Sequence, residues 1–394
     1  MLNNIPTTWI QKYLSDSSVA QVIMGQSPDS SSYNEERDGL PFYQGKTDFG
    51  RISPTPRVWC SKPVKIAEAD DILLSVRAPV GAVNMCTEKS CIGRGLCAIR
   101  TKEIILPKFL YYFFVFYEPI LKTQGSGAVF DAITKAFVDK IKVPIPPTLA
   151  EQQEIVQVLD TMNDIIRLRK ECISHAQDLI SSLFIEIFGD PIKNDKNYKT
   201  YAIKSLGKVT TGTTPSSSKE NMFGGNIPFV TPGDLETDGD KYNRYLTEEG
   251  ALNSRIVRAG STLVCCIGAT IGKVDIAKIK SCFNQQINAI EWNNEDINDV
   301  YALYLFRLLA PLIKEKASNT TLPILNKRNF ENIFIPKPDI KIQEQFAQKA
   351  IEIEAYIKEQ QEELENAKQM FQSLLHHAFT GELTRHKFGD DANG

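Results

Sequence analysis

Two stretches of this chain place apolar residues in alternating steps of four and three. The first runs Ile155, Leu159, Met162, Ile166, Arg169, Ile173, Ala176, Ile180, Leu183 and Ile187. The second runs Phe346, Ala350, Ile353, Ile357, Gln360, Leu364, Ala367, Phe371, Leu374 and Ala378. Such spacing keeps one face of an α-helix apolar over nearly five heptads, and predicts two long helices that pair along that face. Each stripe carries one polar break, Arg169 and Gln360, and every position of the second lies 191 residues after its counterpart. Gly189 and Gly381, just beyond the stripes, suit C-terminal stops. Ahead of each helix, apolar β-rich runs such as residues 71–76 and 261–267 sit between Gly, Pro and Ser clusters and predict short strands and turns. Pro144, Pro146 and Pro147, and in the second half Pro336 and Pro338, are expected to stop any strand before the helices begin.

The shared offset extends beyond the helices. DILLSVRAPVG (71–81) aligns with TLVCCIGATIG (262–272), and RGLCAI (94–99) with QQINAI (285–290), both at 191. KIKVPIPPTLAEQQ (140–153) aligns with NIFIPKPDIKIQEQ (332–345) at 192, and GQSPDSS (25–31) with GTTPSSS (212–218) at 187. The chain is therefore a tandem duplication of mixed α/β units. The expected division is a globular domain over residues 1–150, a helical spacer over 151–189, a second globular domain over 190–340, a second spacer over 341–385 and a flexible tail over 386–394. For the helices to pair within one chain, the second must run back antiparallel to the first, giving a coiled coil with pseudo-twofold symmetry. At ~1.5 Å per residue such a rod is roughly 50–60 Å long. That is enough to set two heads about one turn of B-DNA apart, or more.

The formal net charge of −3 becomes informative only when it is divided along the chain. Residues 1–150 carry 17 Lys and Arg against 14 Asp and Glu, and residues 191–340 carry 19 against 16. The helical segments are acidic, with 3 against 8 over residues 151–190 and 5 against 8 over residues 341–385. Two mildly basic units thus alternate with two acidic ones, the distribution expected if the globular units face a polyanion. The eight cysteines include no C-x-x-C pair and fit neither a zinc site nor a disulfide framework, so reduced, mostly buried thiols are expected. The aromatic run 109–117 is too short to span a bilayer and reads as core. MLNNIPTTWI lacks the basic and apolar regions of a secretion signal, so a cytoplasmic location is expected.

SVRAPVG followed by IGRGLCAI, then I-x-V-P-I-P-P-x-x-x-E-Q-Q opening a long helix that ends SLFIEIFGDP, resembles the specificity subunits of type I restriction–modification systems, as does the repetition of this plan in the second half. The resemblance spans essentially the whole chain. It implies that each globular part is a target-recognition domain reading one half of a split double-stranded DNA site. It also implies that the helices fix the spacing and dock two modification (methyltransferase) subunits, and that restriction (translocase and nuclease) subunits join the complex. The second half departs from the first: on the 191 offset Gly268 stands at Arg77, and Gln285 and Gln286 replace Arg94 and Gly95.

Ile145-Pro146-Pro147-Thr148 lacks the polar and aromatic flanks of a methyltransferase motif, GRGLCA and GSGAVF do not complete G-x-G-x-x-G, and nothing matches a phosphate-binding loop. The four histidines fall in or just after the helices, and none pairs with a cysteine or acidic cluster as a metal site or triad. A non-catalytic subunit without cofactor or metal is expected. For DNA contact, Lys, Arg and small polar donors suit phosphates, and bidentate Arg, Asn, Gln or Lys suit base edges. In the first domain these criteria select Gln26, Ser27, Ser30, Tyr33, Tyr43, Gln44, Lys46, Arg77, Arg94, Lys122 and Gln124. In the second they select Thr213, Thr214, Ser217, Thr231, Gln285, Gln286, Asn319 and Lys327, with Asp234 near Thr231. Two rival readings stand: the recognition subunit of a related restriction system with a different nuclease arrangement, and a coiled-coil scaffold that does not read DNA.

Overall fold

A computed structural model describes residues 5–124, 132–216, 220–237, 241–318 and 322–383. The chain forms two compact units, Met1–Lys170 with Glu362–Gly394, and Glu171–Gln361. The expected spacer segments 151–189 and 341–385 are thus each divided between the units.

The first unit begins with β1 (Ile10–Tyr13), β2 (Ala20–Met24), β3 (Tyr33–Asn34), β4 (Leu40–Tyr43), β5 (Trp59–Cys60) and β6 (Ile66–Ala67). It continues with β7 (Ile72–Ser75), β8 (Val83–Met85), β9 (Ser90–Ile92), β10 (Leu96–Thr101), α1 (Pro107–Gln124), α2 (Lys135–Asp139) and β11 (Lys142–Ile145), and leads into α3 (Leu149–Phe188). An antiparallel sheet orders β2-β10-β7-β8, and a second sheet orders β3-β5-β4-β9-β6 with β4 and β9 parallel. β1 pairs with β11 in a two-stranded ribbon. Pro144 lies inside β11, opposite Gln11, rather than stopping it as expected. A two-stranded ribbon has a free edge on each strand, so a residue without an N–H is tolerated there.

The second unit repeats the plan. Its first half comprises β12 (Thr200–Ala202), α4 (Ile203–Leu206), β13 (Gly207–Thr211), β14 (Phe223–Val230), β15 (Tyr245–Leu246), α5 (Glu248–Leu252) and β16 (Ile256–Val257). Then come β17 (Thr262–Cys265), β18 (Val274–Ile276), β19 (Ser281–Phe283), β20 (Ile287–Trp292), α6 (Asp299–Glu315), α7 (Lys327–Glu331), β21 (Phe334–Pro336) and α8 (Ile340–Phe379). Its sheets order β13-β20-β17-β18 and β15-β14-β19-β16, with β12 against β21.

In each unit an aromatic helix covers the first sheet. Phe109, Leu110, Tyr112, Phe113 and Phe114 of α1 are buried in one core with Ile72, Leu74, Cys97 and Ile99, and Tyr301, Leu305 and Phe306 of α6 repeat the packing on Val264 and Ile290. The first half of α3 and the last half of α8 complete the first core through Ile155, Leu159, Met162, Ala367 and Phe371. Arg169 there donates to Glu363 at 3.2 Å. The second half of α3 and the first half of α8 complete the second core through Ala176, Ile180, Phe346, Ala350 and Ile357. Near the ends of both helices the 4-3 stripe leaves out large apolar residues that the fold buries. Phe184, Phe188, Leu375 and Phe379 are buried, whereas Leu183, Ile187 and Leu374 are only partly so. A helix of 3.6 residues per turn drifts about 20° per heptad off a 3.5 repeat, and by the last turns that drift has rotated the next position inward. Phe379 stacks on Phe116 at 5.4 Å, and Phe184 on Tyr301 at 5.4 Å. Gly189 and Gly381 both adopt φ +74°, the left-handed stop expected of them.

The E-Q-Q and Q-E-Q ends of the helix-opening motif have a structural purpose. Gln152 is fully buried, donates to Ile104 O at 2.9 Å and accepts from Leu106 N–H at 2.8 Å. Gln343 is equally buried, donates to Asp296 O and Pro338 O, and accepts from Asn298 N–H. Each amide ties the start of a long helix to the loop that enters α1 or α6. Trp9 adds a bond to Glu151 at 3.0 Å in the first unit.

Candidate nucleic-acid interface

The C-terminal ends of β2, β4, β7 and β9 and the N-terminal end of β10 meet at one end of the first unit's sheets. Gly25 N–H donates to Leu96 O at 2.9 Å, Gln26 N–H to Ile92 O at 3.0 Å and Gly93 N–H to Tyr43 O at 2.8 Å. Val76 N–H donates to Gly95 O at 2.9 Å, and Ile133 N–H to Val76 O at 2.8 Å. A Cβ on Gly25 would lie 2.1 Å from Gly93 O, so only glycine permits this closure. The exposed side chains of Gln26, Gln44, Lys46, Arg77 and Arg94 project from this loop cluster. Ser27 Oγ accepts Arg94 N–H at 3.2 Å, and Tyr33 donates from its hydroxyl to Pro28 O at 2.8 Å, which braces the loop carrying Ser30. Neither Arg77 nor Arg94 forms an ion pair among the described residues.

Tyr43 does not belong to this surface. It is 1% exposed, and burial pushes its phenol up to about 12, so it supports the cluster from below. Lys122 is exposed near the end of α1 and pairs with Glu118 at 3.1 Å. Gln124 closes α1, but its side chain lies outside the described residues, as do Ser217 and Asn319 altogether.

The second unit builds the same cluster from different residues. Gly212 N–H donates to Ile287 O at 3.1 Å, Thr213 N–H to Phe283 O at 3.0 Å and Asn284 N–H to Val230 O at 3.0 Å. Cys266 N–H donates to Gln286 O, and Leu325 N–H to Cys266 O, both at 2.8 Å. Gly212 meets Asn284 O as Gly25 meets Gly93 O, with the same 2.1 Å clearance for an added Cβ. Thr213, Thr214, Thr231, Gln285 and Gln286 come together here. Thr214 Oγ1 donates to Gln285 Oε1 at 2.5 Å, and Asn284 Nδ2 to Gln286 Oε1 at 3.0 Å. Lys327 opens α7, two residues after Leu325. Asp234 is 6% exposed and enclosed by its own loop, so it positions neighbours and does not reach a ligand.

The hydrogen bonds also correct the alignment of the halves. Gly81 N–H closes onto Ser75 O and Gly272 N–H onto Cys265 O, both at 2.9 Å, so the turn after β17 holds one residue more than the turn after β7. Ile267, which bridges Ile324, therefore stands where Arg77 bridges Ala132, and Gly268 is the added turn residue. From Gly81 and Gly272 through β10 and β20 the 191 offset holds, and Gln285 and Gln286 do occupy the places of Arg94 and Gly95. The first head thus offers two arginines where the second offers Ile267 and Gln285.

Seven cysteines are buried free thiols and Cys172 is exposed. Burial pushes the Cys97 and Cys266 thiols up to about 12, far from a reactive thiolate. Among the described residues no group of three or more His, Cys, Asp or Glu side chains could hold a metal ion, and no helix is long and apolar enough to cross a membrane.

A model of the type I restriction modification DNA specificity domain matches this chain twice, over residues 12–175 and 195–366. The chain belongs to that family. The two matches follow the two halves of the duplication. Among relatives, the specificity domain chain is 44% identical over 188 residues to the putative type I restriction enzyme MjaX specificity subunit of Methanocaldococcus jannaschii, covering 47% of this chain and 44% of that one. It is 22% identical to the type I restriction enzyme EcoBI specificity subunit of Escherichia coli, over 97% of this chain and 88% of that one. Of solved structures, the S subunit of a type I restriction–modification system from M. genitalium aligns with TM-score 0.60 at 15% identity, over 96% of this chain and 97% of that one. A chain from a structure of type I R-M complex assembly and conformational transition aligns with TM-score 0.64 at 19% identity, over 96% and 99%. At these identities the structural likeness speaks for the fold.

Proposed function

We propose that this chain is the DNA-specificity subunit of a type I restriction–modification complex, with each domain reading one half of a bipartite target. The observation that carries the reading is the loop cluster built twice on the same backbone hydrogen bonds while its exposed residues differ. A shared frame with different side chains is what two readers of different sequences need. Arg77, Arg94 and Lys46 suit phosphates and guanine edges, and Gln26, Gln44, Gln285 and Gln286 suit adenine or mixed edges. Ser27, Ser30, Thr213, Thr214, Thr231, Lys122 and Lys327 add phosphate contacts at the margins.

In this reading α3 and α8 form an antiparallel pair that sets the spacing and docks two methyltransferase subunits, with restriction subunits joining the assembly. The chain itself supplies no catalysis and works in the cytoplasm on double-stranded DNA. The test is to co-express the chain with its modification subunits in a host lacking other methylation and to map methylated motifs genome-wide. A split motif is expected. Exchange of residues 1–150 for those of a relative should change one half of it alone. Failure of the purified complex to shift duplex DNA in a salt-dependent manner would favour the scaffold reading instead.

A further inference from the structure

Two buried carboxylates, Asp48 and Asp234, stand at equivalent places in the domains. Asp48 is 8% exposed. Its Oδ2 accepts the N–H groups of Gln44 at 2.7 Å and Gly45 at 3.3 Å, and its Oδ1 accepts Arg57 Nη2 at 2.5 Å. Its own carbonyl accepts Thr55 N–H at 2.9 Å. In the second unit Asp234 Oδ2 accepts Thr231 N–H at 2.8 Å and Thr231 Oγ1 at 2.6 Å, and Oδ1 accepts Asn243 through its N–H at 2.9 Å and its Nδ2 at 2.7 Å. Gln44 and Thr231 are the first residues after the equivalent strands β4 and β14, so each carboxylate grips the start of the loop leaving its domain's cluster.

Each loop is pinned a second time, and again equivalently. Asn84 of β8, 1% exposed, accepts Gly50 N–H at 3.0 Å and donates to Gly50 O at 3.2 Å. Asp275 of β18, 191 residues later, accepts Glu236 N–H at 3.0 Å, while Glu236 Oε1 accepts Val274 N–H at 3.0 Å. The loops themselves differ in sequence, and the carboxylate follows the strand by five residues in one and four in the other. Two loops with different contents are thus clamped by the same device on the same strands. Bonds to a desolvated carboxylate are shorter and stronger than neutral ones, and they fix the polar start of each loop beside the apolar anchors that follow, Phe49 in the first unit and the buried Leu235 in the second.

We propose that Asp48 and Asp234 are positioning residues for base reading: each fixes the loop that presents its own domain's contacts and thereby sets the choice of one half-site. The proposal rests on the two-reader function above. Neither carboxylate touches DNA; Asp48 acts through Gln44 and Lys46, and Asp234 through Thr231. Discrimination at a base edge depends on placement to a fraction of an ångström, so releasing a clamp blurs one half-site before it unfolds the domain.

The experiment compares wild type, Asp48→Asn and Asp234→Asn, each assembled with its modification subunits, by genome-wide methylation mapping and by the thermal midpoint of the complex. The expected result is a motif relaxed in one half for Asp48→Asn and in the other half for Asp234→Asn, with about tenfold lower discrimination at the affected positions and a near-native midpoint. Unchanged motifs in both variants would overturn the proposal. So would loss of all methylation with a collapsed midpoint, since the carboxylates would then be supports of the fold alone. A wild-type motif that is not split would overturn the two-reader function itself, and the positioning role with it.

Discussion

Replacing Gln152 with alanine removes one side chain and orphans two backbone groups. Leu106 N–H loses its acceptor at 2.8 Å and Ile104 O its donor at 2.9 Å, at a site where the glutamine is fully buried. An unsatisfied buried polar group costs about 1–3 kcal/mol, so the pair should cost roughly 2–6 kcal/mol. For a unit of this size each kcal/mol lowers the melting midpoint by about 2–4 °C, which places the expected fall near 8–16 °C for a mid-range loss. Scanning calorimetry and urea titration of the whole chain would measure it. Gln343→Ala should do at least as much, because Gln343 makes three such bonds. The two glutamines lie in different units, so the double variant should add within about 0.5 kcal/mol. A fall of less than ~3 °C for Gln152→Ala would show that water satisfies the freed groups, and that the motif's glutamine is not a structural tie.

Gly95→Ala would put a Cβ 2.2 Å from Gln44 O, so the loop must move; methylation mapping should show a changed or lost half-site for the first domain only. The Asp234 carboxyl is pushed up by burial, but the bonds from Thr231 and Asn243 outweigh this and hold it below its ordinary 3.8. A depressed folded value gives a stability contribution that is complete above the unfolded pKa and is lost as pH falls through the folded one, so urea midpoints below about pH 4 should drop more steeply for wild type than for Asp234→Asn. Inserting one heptad after Lys170 and one after Gln361 lengthens both helices by about 10 Å, and should widen the unread spacer by up to about three base pairs; an active variant with an unchanged spacer would show that the helices do not set the distance.

The long helices were legible because a 4-3 stripe over 33 residues demands a partner surface, and no local packing scheme imitates it for long. What the stripe could not convey is which residues of each helix reach the domain core, since the drift that buries Phe184 and Phe379 depends on what those last turns touch. The candidate interface was legible as a set of loops but not as a surface. Gln26, Gln44, Arg77 and Arg94 are spread over 69 positions of sequence, and only the meeting of strand ends brings them together. Tyr43 and Asp234 illustrate the complementary failure: a polar residue next to the right loop satisfies every sequence criterion for contact, and its direction is decided by strand pleat and turn geometry.

The one-residue slip between the halves has a more general cause. β7 and β17 are buried on both faces, reading Ile-Leu-Leu-Ser and Thr-Leu-Val-Cys, so neither shows the alternation that would reveal a shift of one. Hydropathy alone therefore aligned the pair at the offset of the surrounding motifs. In the folded chain the register is held by ladder bonds to β10 and β20, where Ser75 faces Leu96 and Cys265 faces Ile287. A slip within either strand would turn every side chain to the other face, whereas an extra residue in the turn beyond it leaves the ladder untouched. The duplication accordingly absorbed its insertion beside the position that presents Arg77 in one domain and Ile267 in the other. Length can vary there without disturbing the sheet, and so can the side chain offered to a ligand.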